Sequence, residues 1–491
     1  MTKERTMSTT TSRIVIIGAG VAGIAAGAML RRKGIEDFLI LERGDQFGGV
    51  WRDNIYPGVE CDVQSHLYSY SFRPNDWSKT YAGGREIFDY LNEVAKEEKL
   101  TEHALFGHAV SEMCWQEASG SWVIETNRGR FESKFLVTAT GSLSEPQLLD
   151  IDGLSDFAGR IVHSAVWDPD MDVAGRNVAL VGTGASAIQL APAIADRVDD
   201  LTIFQRTPPW VAPRVDVEYS AAQRRMWREL PETLHDYRQF LFWFQESRFP
   251  ERVRVQQAIE RMTNIADSHR TSQIQDPKLL EITRPHYEIG CKRILLSNTW
   301  YPTLQRDNVT LVPHAATALT RDAVVAANGD AHEADFLILC SGFDTVGLPV
   351  ARLIYGENGV RLADSWSGGV HAYGGMAVNG FPNLFLIGGP NVGLGFGSMF
   401  FMIETQAEYL AQAMQTALTC EVDKLRVRPE RESEFVQFID ERAANTVWLT
   451  GGCDSFYIAD GTGHLSTLWP DFMTRYRTDF QVFDPADYVY A

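Results

Sequence analysis

Ile14-Val15-Ile16-Ile17-Gly18-Ala19-Gly20-Val21-Ala22-Gly23 is the stretch on which the fold of this chain turns. Its apolar run reads as a buried strand, and the glycines that follow, spaced G-x-G-x-x-G, open into a helical pattern. In a βαβ unit such glycines permit a tight turn. They also let backbone N–H groups at the helix N-terminus approach a pyrophosphate. The same reading applies again where Val178–Val181 runs into Gly182-Thr183-Gly184-Ala185-Ser186-Ala187. At the same offset past each first glycine stands a charged residue, Glu42 in one case and Arg206 in the other. That position closes the second strand of the unit and meets the adenosine ribose. A carboxylate there accepts from ribose hydroxyls, whereas a guanidinium suits a 2′-phosphate. The chain therefore reads as carrying a flavin-type site with Glu42 and an NADPH-type site with Arg206.

A length of 491 residues allows two or three domains with their own cores. The formal charge of −19 argues against nucleic acid or an anionic membrane surface as main partner. The six cysteines (61, 114, 291, 340, 420, 453) show no C-x-x-C, no zinc spacing and no extracellular framework. A reducing, cytoplasmic location and no metal site are expected. The first dozen residues are Ser/Thr-rich without a signal-type apolar core, and read as a disordered tail. Two uncharged stretches, Ile14–Leu30 and Phe381–Ile403, are broken by glycines or prolines that would leave backbone groups unsatisfied in lipid. No membrane span is expected.

Strand–helix alternation runs from Arg13 to about Ser144, and a second such unit reaches about Arg214. The stretch from Asp216 to Arg284 is charged, almost free of glycine, and holds Phe240, Phe242, Trp243 and Phe244. It reads as helical, with those aromatics packing a core or a lid. Strand signals return at Val309–Val312, Phe336–Leu339 and Phe381–Gly389. The expected fold class is α/β, with two interleaved Rossmann-like dinucleotide-binding domains and a mainly helical insertion. Residues 1–144 and 342–491 would bind FAD, 145–214 and 285–341 would bind NADP, and 215–284 would be the insertion.

Between the fingerprints lie two longer patterns: Gly48-Gly49-Val50-Trp51-x-x-x-x-Tyr56-Pro57-Gly58-x-x-x-Asp62, and Phe157-x-Gly159-x-x-x-His163-x-x-x-Trp167-Asp168. Together with the fingerprints, in this order, they resemble the signatures of type I Baeyer–Villiger monooxygenases, and the resemblance spans Arg13 to about Phe480. It implies an enzyme that uses FAD, NADPH and O2 to insert one oxygen beside a ketone carbonyl, giving an ester or lactone through an anionic peroxide on the flavin. Such an anion needs a nearby positive charge and protection from water. By resemblance Arg293, in Cys291-Lys292-Arg293, supplies the charge and, in the reduction step, meets the nicotinamide, while Asp62 fixes its position beside the cofactors. Lys292, Arg206 and Thr207 would hold the 2′-phosphate. Gly18, Gly20, Gly23, Glu42, Gly49, Val50, Trp51, Tyr68, Val110 and Met399 would contact FAD, and Gly182 through Ala187 would contact NADP.

His163 admits either direct proton transfer or a linker role that passes coenzyme binding into domain rotation. Trp167 reads as packing and as diagnostic of the family, since relatives that oxidise nitrogen or sulfur tend to carry Tyr or Phe there. Two departures stand out. Asn391–Gly397, expected as a pocket-lining bulge, is glycine-rich with Phe396 its one bulky residue. Phe456 stands where relatives often place a tryptophan touching the nicotinamide ribose or substrate, although ordinary core packing would also explain it.

A sulfide- or amine-oxidising flavin monooxygenase using a neutral hydroperoxide is the alternative on the same scaffold. A slow flavin- or NADPH-binding sensor is a third reading. A dithiol reductase is set aside because it needs a redox-active cysteine pair beside the flavin. Partners are expected to be a small ketone or sulfide and O2, with the chain a monomer or homodimer.

Overall fold

The computed structural model describes residues 9–345, 348–455, 457–458 and 463–490. Two sheets organise them. The first orders its strands Ile354–Tyr355, Val110–Gln116, Ser121–Thr126, Gly129–Thr138, Thr9–Ile17, Phe38–Glu42 and Ala104–Phe106, and Leu384–Leu386 also pairs with Gly129–Thr138. Its central pairs are parallel, with Ile14 opposite both Phe38 and Phe135. Ile14, Val15 and Ile16 are wholly buried, as strands covered on both faces require.

The helix Val21–Arg32 returns from the first fingerprint, and its Ala22, Gly23, Ala25, Ala26 and Gly27 are all buried. These small side chains let it pack against the long helix Met399–Thr419, itself largely buried and capped by Ser398, which accepts from the Phe400 N–H at 3.3 Å. The stretch Phe381–Ile403 is therefore a strand, a glycine-rich turn and a helix start. Among the described residues no helix is long and apolar enough to cross a membrane.

The second sheet is all parallel, in the order Val309–Val312, Asp200–Phe204, Asn177–Val181, Phe336–Leu339, Arg160–His163. Its crossover helix, Ala185–Ile194, follows the second fingerprint. Chain order thus passes from the first sheet to the second and back, as the interleaved reading expects. Five helices between Ala221 and Ile282 make up the insertion.

The aromatic cluster needs correction. Phe242 packs on Phe401 with ring centroids 4.8 Å apart, but Phe240, Trp243 and Phe244 are exposed. On the helix Pro231–Glu246 consecutive residues face different sides, so four aromatics in five positions cannot share one buried stripe.

Candidate active site

The two fingerprints begin alike. Gly18 sits at φ +108°, and a Cβ there would lie 2.6 Å from the Ala139 carbonyl oxygen; a Cβ on Gly23 would lie 1.9 Å from that of Gly18. Only glycine closes this turn. Gly49, at φ +53°, opens the short helix Val50–Asp53, and a Cβ on it would stand 2.9 Å from the Gly20 Cα. The longer motif is thus seated directly on the fingerprint.

Glu42 ends its strand buried. Its Oε2 accepts from the Ala19 N–H at 2.8 Å, its Oε1 from the Gly44 N–H at 2.7 Å, and Arg52 pairs with it at 2.9 Å. The Trp51 indole donates to the Tyr68 hydroxyl at 3.1 Å, and Tyr68 meets Phe400, next to Met399, edge-on. Val110, half-buried, opens the strand Val110–Gln116 toward the other side of the same sheet. A close-packed backbone turn with a fixed carboxylate at its far end fits the pyrophosphate and ribose of FAD.

At the second fingerprint Gly182, φ +112°, is equally obligatory, because a Cβ would fall 2.5 Å from the Cys340 carbonyl oxygen. Ala187 is wholly buried where the first motif has Gly23. Gly184 and Ala185 are exposed at the helix N-terminus, Ser186 is half-buried, and nothing lies within 4 Å of a Cβ on Gly184. The Thr183 hydroxyl donates to the Thr207 carbonyl oxygen at 3.2 Å. Arg206 is exposed and has no carboxylate partner among the described residues. Burial and the Arg206 charge push the Lys292 ammonium below its ordinary pKa, with Asp454 pulling the other way. Two neighbouring cations, neither in an ion pair among the described residues, fit a phosphate.

Arg293 joins the two halves. Its Nε donates to Asp62 Oδ2 at 2.5 Å and its Nη2 to Oδ1 at 2.7 Å, while Nη1 reaches the Leu394 carbonyl oxygen at 3.4 Å. The arginine side chain is 34% exposed and the aspartate 26%, so the pair borders open space. Burial opposes the Asp62 charge, yet Arg293 outweighs it and holds the carboxyl below its ordinary range. Asp62 in turn raises Arg293 against the pull of burial. The guanidinium is therefore charged at every working pH and fixed in two directions.

Of the residues read as catalytic, the structure brings Arg293 and Asp62 together and leaves His163 apart. His163 is buried beside Leu339; its Nδ1 accepts from the Ala165 N–H at 3.1 Å, and its ring faces Phe343. None of its contacts is with Arg293 or Asp62, and burial lowers its pKa. Trp167 packs in the core of the second sheet. Phe396 is buried against Phe249, and residues 391–397 are stitched to 465–469 through Asn391 and Gly393. Phe456 lies outside the described residues.

Sequence reasoning missed several polar links. Gln189, one turn into the crossover helix, donates to the Glu60 carbonyl oxygen at 2.9 Å and accepts from the Tyr56 hydroxyl at 2.9 Å. Gln245 donates to Gln64 at 2.8 Å and accepts from the Gly397 N–H at 3.3 Å. Lone amides within helical patterns carry no motif, so nothing in the sequence marks them. A cysteine pair also went unread: Cys291 and Cys453 form a disulfide across 162 residues, a separation without any local spacing signal.

Two dinucleotide cradles on separate sheets, joined by an arginine–carboxylate pair, define a flavin- and pyridine-nucleotide-dependent oxidoreductase. Residues 15–238 match the family model described as pyridine nucleotide-disulphide oxidoreductase, a span that contains neither Cys291 nor Cys453. The chain is 42% identical over 478 residues to a Baeyer-Villiger monooxygenase of Streptomyces coelicolor, covering 97% of this chain and 92% of that protein. A Baeyer-Villiger monooxygenase of Pseudomonas aeruginosa is 38% identical over 479 residues, covering 97% and 91%. The crystal structure of cyclohexanone monooxygenase from Rhodococcus sp. Phi1 bound to NADP+ matches with a TM-score of 0.87 at 28% identity, over 96% of this chain and 97% of that one. The chain belongs to the Baeyer–Villiger monooxygenase family. It is a FAD-containing enzyme that uses NADPH and O2 to insert one oxygen atom next to a ketone carbonyl, giving an ester or lactone.

Proposed function

We propose that oxygenation in this enzyme turns on Arg293, with Asp62 as its positioning partner. The FAD held at the first fingerprint would, once reduced by NADPH, activate O2. Negative charge then develops on the attacking oxygen, and a guanidinium already fixed by a carboxylate stabilises it without reorganising, in the manner of an oxyanion hole. The Gln64–Gln245–Gly397 link supports this reading, because it ties the helical insertion across the Asp62 segment and helps to keep water out. Lys292, Arg206 and Thr207 would take the 2′-phosphate of NADPH, and residues 182–187 its pyrophosphate. Glu42 would take the FAD ribose, Gly18, Gly20, Gly23 and Gly49 its pyrophosphate, and Val50, Trp51, Tyr68, Val110 and Met399 the rest of FAD. His163, beside the strand end that leads back toward the first sheet, would pass coenzyme binding between domains rather than move a proton.

The same reading takes 1–144 with 342–491 as the FAD-binding domain, 145–214 with 285–341 as the NADP-binding domain, and 215–284 as the insertion. The two-sheet strand order supports it. The substrate class is a small ketone, with sulfides as secondary substrates, in the cytoplasm of the cell, and the chain acts as a monomer or homodimer without nucleic acid. The formal charge of −19 supports small neutral substrates over polyanions.

The single observation that carries the proposal is the two-bonded Arg293–Asp62 pair, next in sequence to Lys292. A ketone panel with purified holoenzyme, NADPH and O2, read as ester by mass spectrometry, tests it. NADPH oxidation that yields only hydrogen peroxide from O2 with every ketone would overturn it.

A further inference from the structure

The disulfide lies against the proposed chemistry. Cys291 immediately precedes Lys292 and Arg293, and Cys453 heads the segment that reaches the buried Tyr457, whose phenol sits within the fields of Arg293 and Arg252. The two strands of chain are packed around the bond. The Glu288 N–H donates to the Gly451 carbonyl oxygen at 2.9 Å, Arg254 joins the Glu288 carboxylate to the Thr450 hydroxyl, and a Cβ on Gly451 would fall 2.9 Å from that of Cys291. Cys291 is wholly buried and Cys453 partly exposed, so the Cys453 side is the more accessible end of the bond. The remaining described cysteines, Cys61, Cys114, Cys340 and Cys420, are free. A disulfide in a reducing compartment is characteristically transient or redox-sensing rather than structural.

We infer that Cys291–Cys453 is a thiol-responsive modification site: its oxidised form locks the C-terminal segment against the loop bearing Lys292 and Arg293, and its reactant is a dithiol. The inference rests on the proposed roles of those two cations. In the forward step a thiolate of the dithiol attacks the Cys453 sulfur and breaks the S–S bond. Cys291 leaves as a thiolate and takes up the proton that the attacking thiol gave away. The second thiol of the reductant then displaces Cys453 as a thiol, so two electrons enter the protein and the reductant departs as a disulfide. Hydrogen peroxide reverses this. It oxidises one thiol to a sulfenic acid with loss of water, and the second thiol condenses with it, releasing another water. Peroxide is also the product when NADPH is oxidised without oxygenation, so a loosened enzyme generates the oxidant that relocks it.

The test uses air-purified holoenzyme. Alkylation under denaturing conditions, read by intact mass, should give four labels before dithiothreitol and six after it. NADP+ is then titrated by flavin absorbance in both states, without turnover, and the peroxide share of NADPH oxidation is measured. The reduced form should bind NADP+ several-fold more weakly and leak more peroxide, with both effects reversed by hydrogen peroxide. Cys453→Ser should behave as the reduced form whether or not dithiothreitol is present. Six labels before reduction, or loss of the bond with unchanged NADP+ affinity, would sink the idea. Should Cys453→Ser fail to load FAD, the wild-type enzyme titrated in graded thiol–disulfide buffers decides the matter by the same two readouts. Neither the label count nor the NADP+ titration needs a ketone, so a failed ketone panel and a failed switch remain distinguishable.

Discussion

The two nucleotide cradles start from the same turn and end in opposite states. On the flavin side every element is closed: Gly49 presses on Gly20, and Glu42 is held by two backbone N–H groups and by Arg52. On the coenzyme side the helix N-terminus is open, and Arg206 is exposed with no carboxylate partner among the described residues. A closed, satisfied cradle suits a group that stays through many turnovers. An open one with uncompensated positive charge suits a charged ligand that must arrive and leave, since that charge attracts the ligand and is paired only in the complex. The contrast supports retention of the ligand in one cradle and exchange in the other.

The harshest way to break this comparison is at its seam. Arg293→Ala alters neither cradle, so FAD content and NADPH oxidation should persist. Ester formation should fall by about 10²–10³, the usual effect of deleting one preorganised donor at a developing anion. Equal loss of NADPH oxidation and ester would place the arginine in coenzyme binding alone. Next in size is Arg206→Ala. It should weaken NADPH by about 1.5–3 kcal/mol in kcat/KM while leaving NADH nearly untouched, because only the 2′-phosphate is lost to it. If both coenzymes suffer alike, the open cradle is not reading the phosphate. On the closed side, Gly49→Ala puts a Cβ 2.9 Å from the Gly20 Cα at a positive φ. FAD retention on dilution should drop by about 1–3 kcal/mol with little change in KM for NADPH.

What could be read in advance follows from how locally each feature is encoded. Gly18 with Glu42, and Gly182 with Arg206, each lie within a single βαβ unit, so residue type and spacing sufficed to place the turns and the charges beyond them. Arg293 and Asp62 stand 231 positions apart, and no periodicity links them; only resemblance put them together. Gln189 and Gln245 act through single amides whose partners are set by tertiary packing. The same holds for Cys291 and Cys453, where a chain-order view sees isolated thiols and the fold sees a bond. The exposed Phe240, Trp243 and Phe244 show the converse, since clustering in sequence did not mean clustering in space.

The smallest expected effect sharpens the seam itself, through pH. Because Arg293 depresses the Asp62 carboxyl in the folded state, the charged pair contributes stability above the unfolded-state value, near about 3.9. That contribution is lost as pH falls through the lower folded value, where both states bind the proton. With both side chains partly open to water, its size is on the order of 1 kcal/mol. Thermal melting of holoenzyme and of Asp62→Asn should therefore differ fully at neutrality, begin to narrow only below about pH 4, and converge beneath the lower folded value. The replacement for Glu42, Glu42→Gln, serves as the control from the closed cradle: it should lower FAD retention but leave the ratio of ester to peroxide alone. A melting gap between wild type and Asp62→Asn that persists unchanged into acid would mean the aspartate works by shape and not by charge. The positioning role assigned to it beside Arg293 would then be wrong.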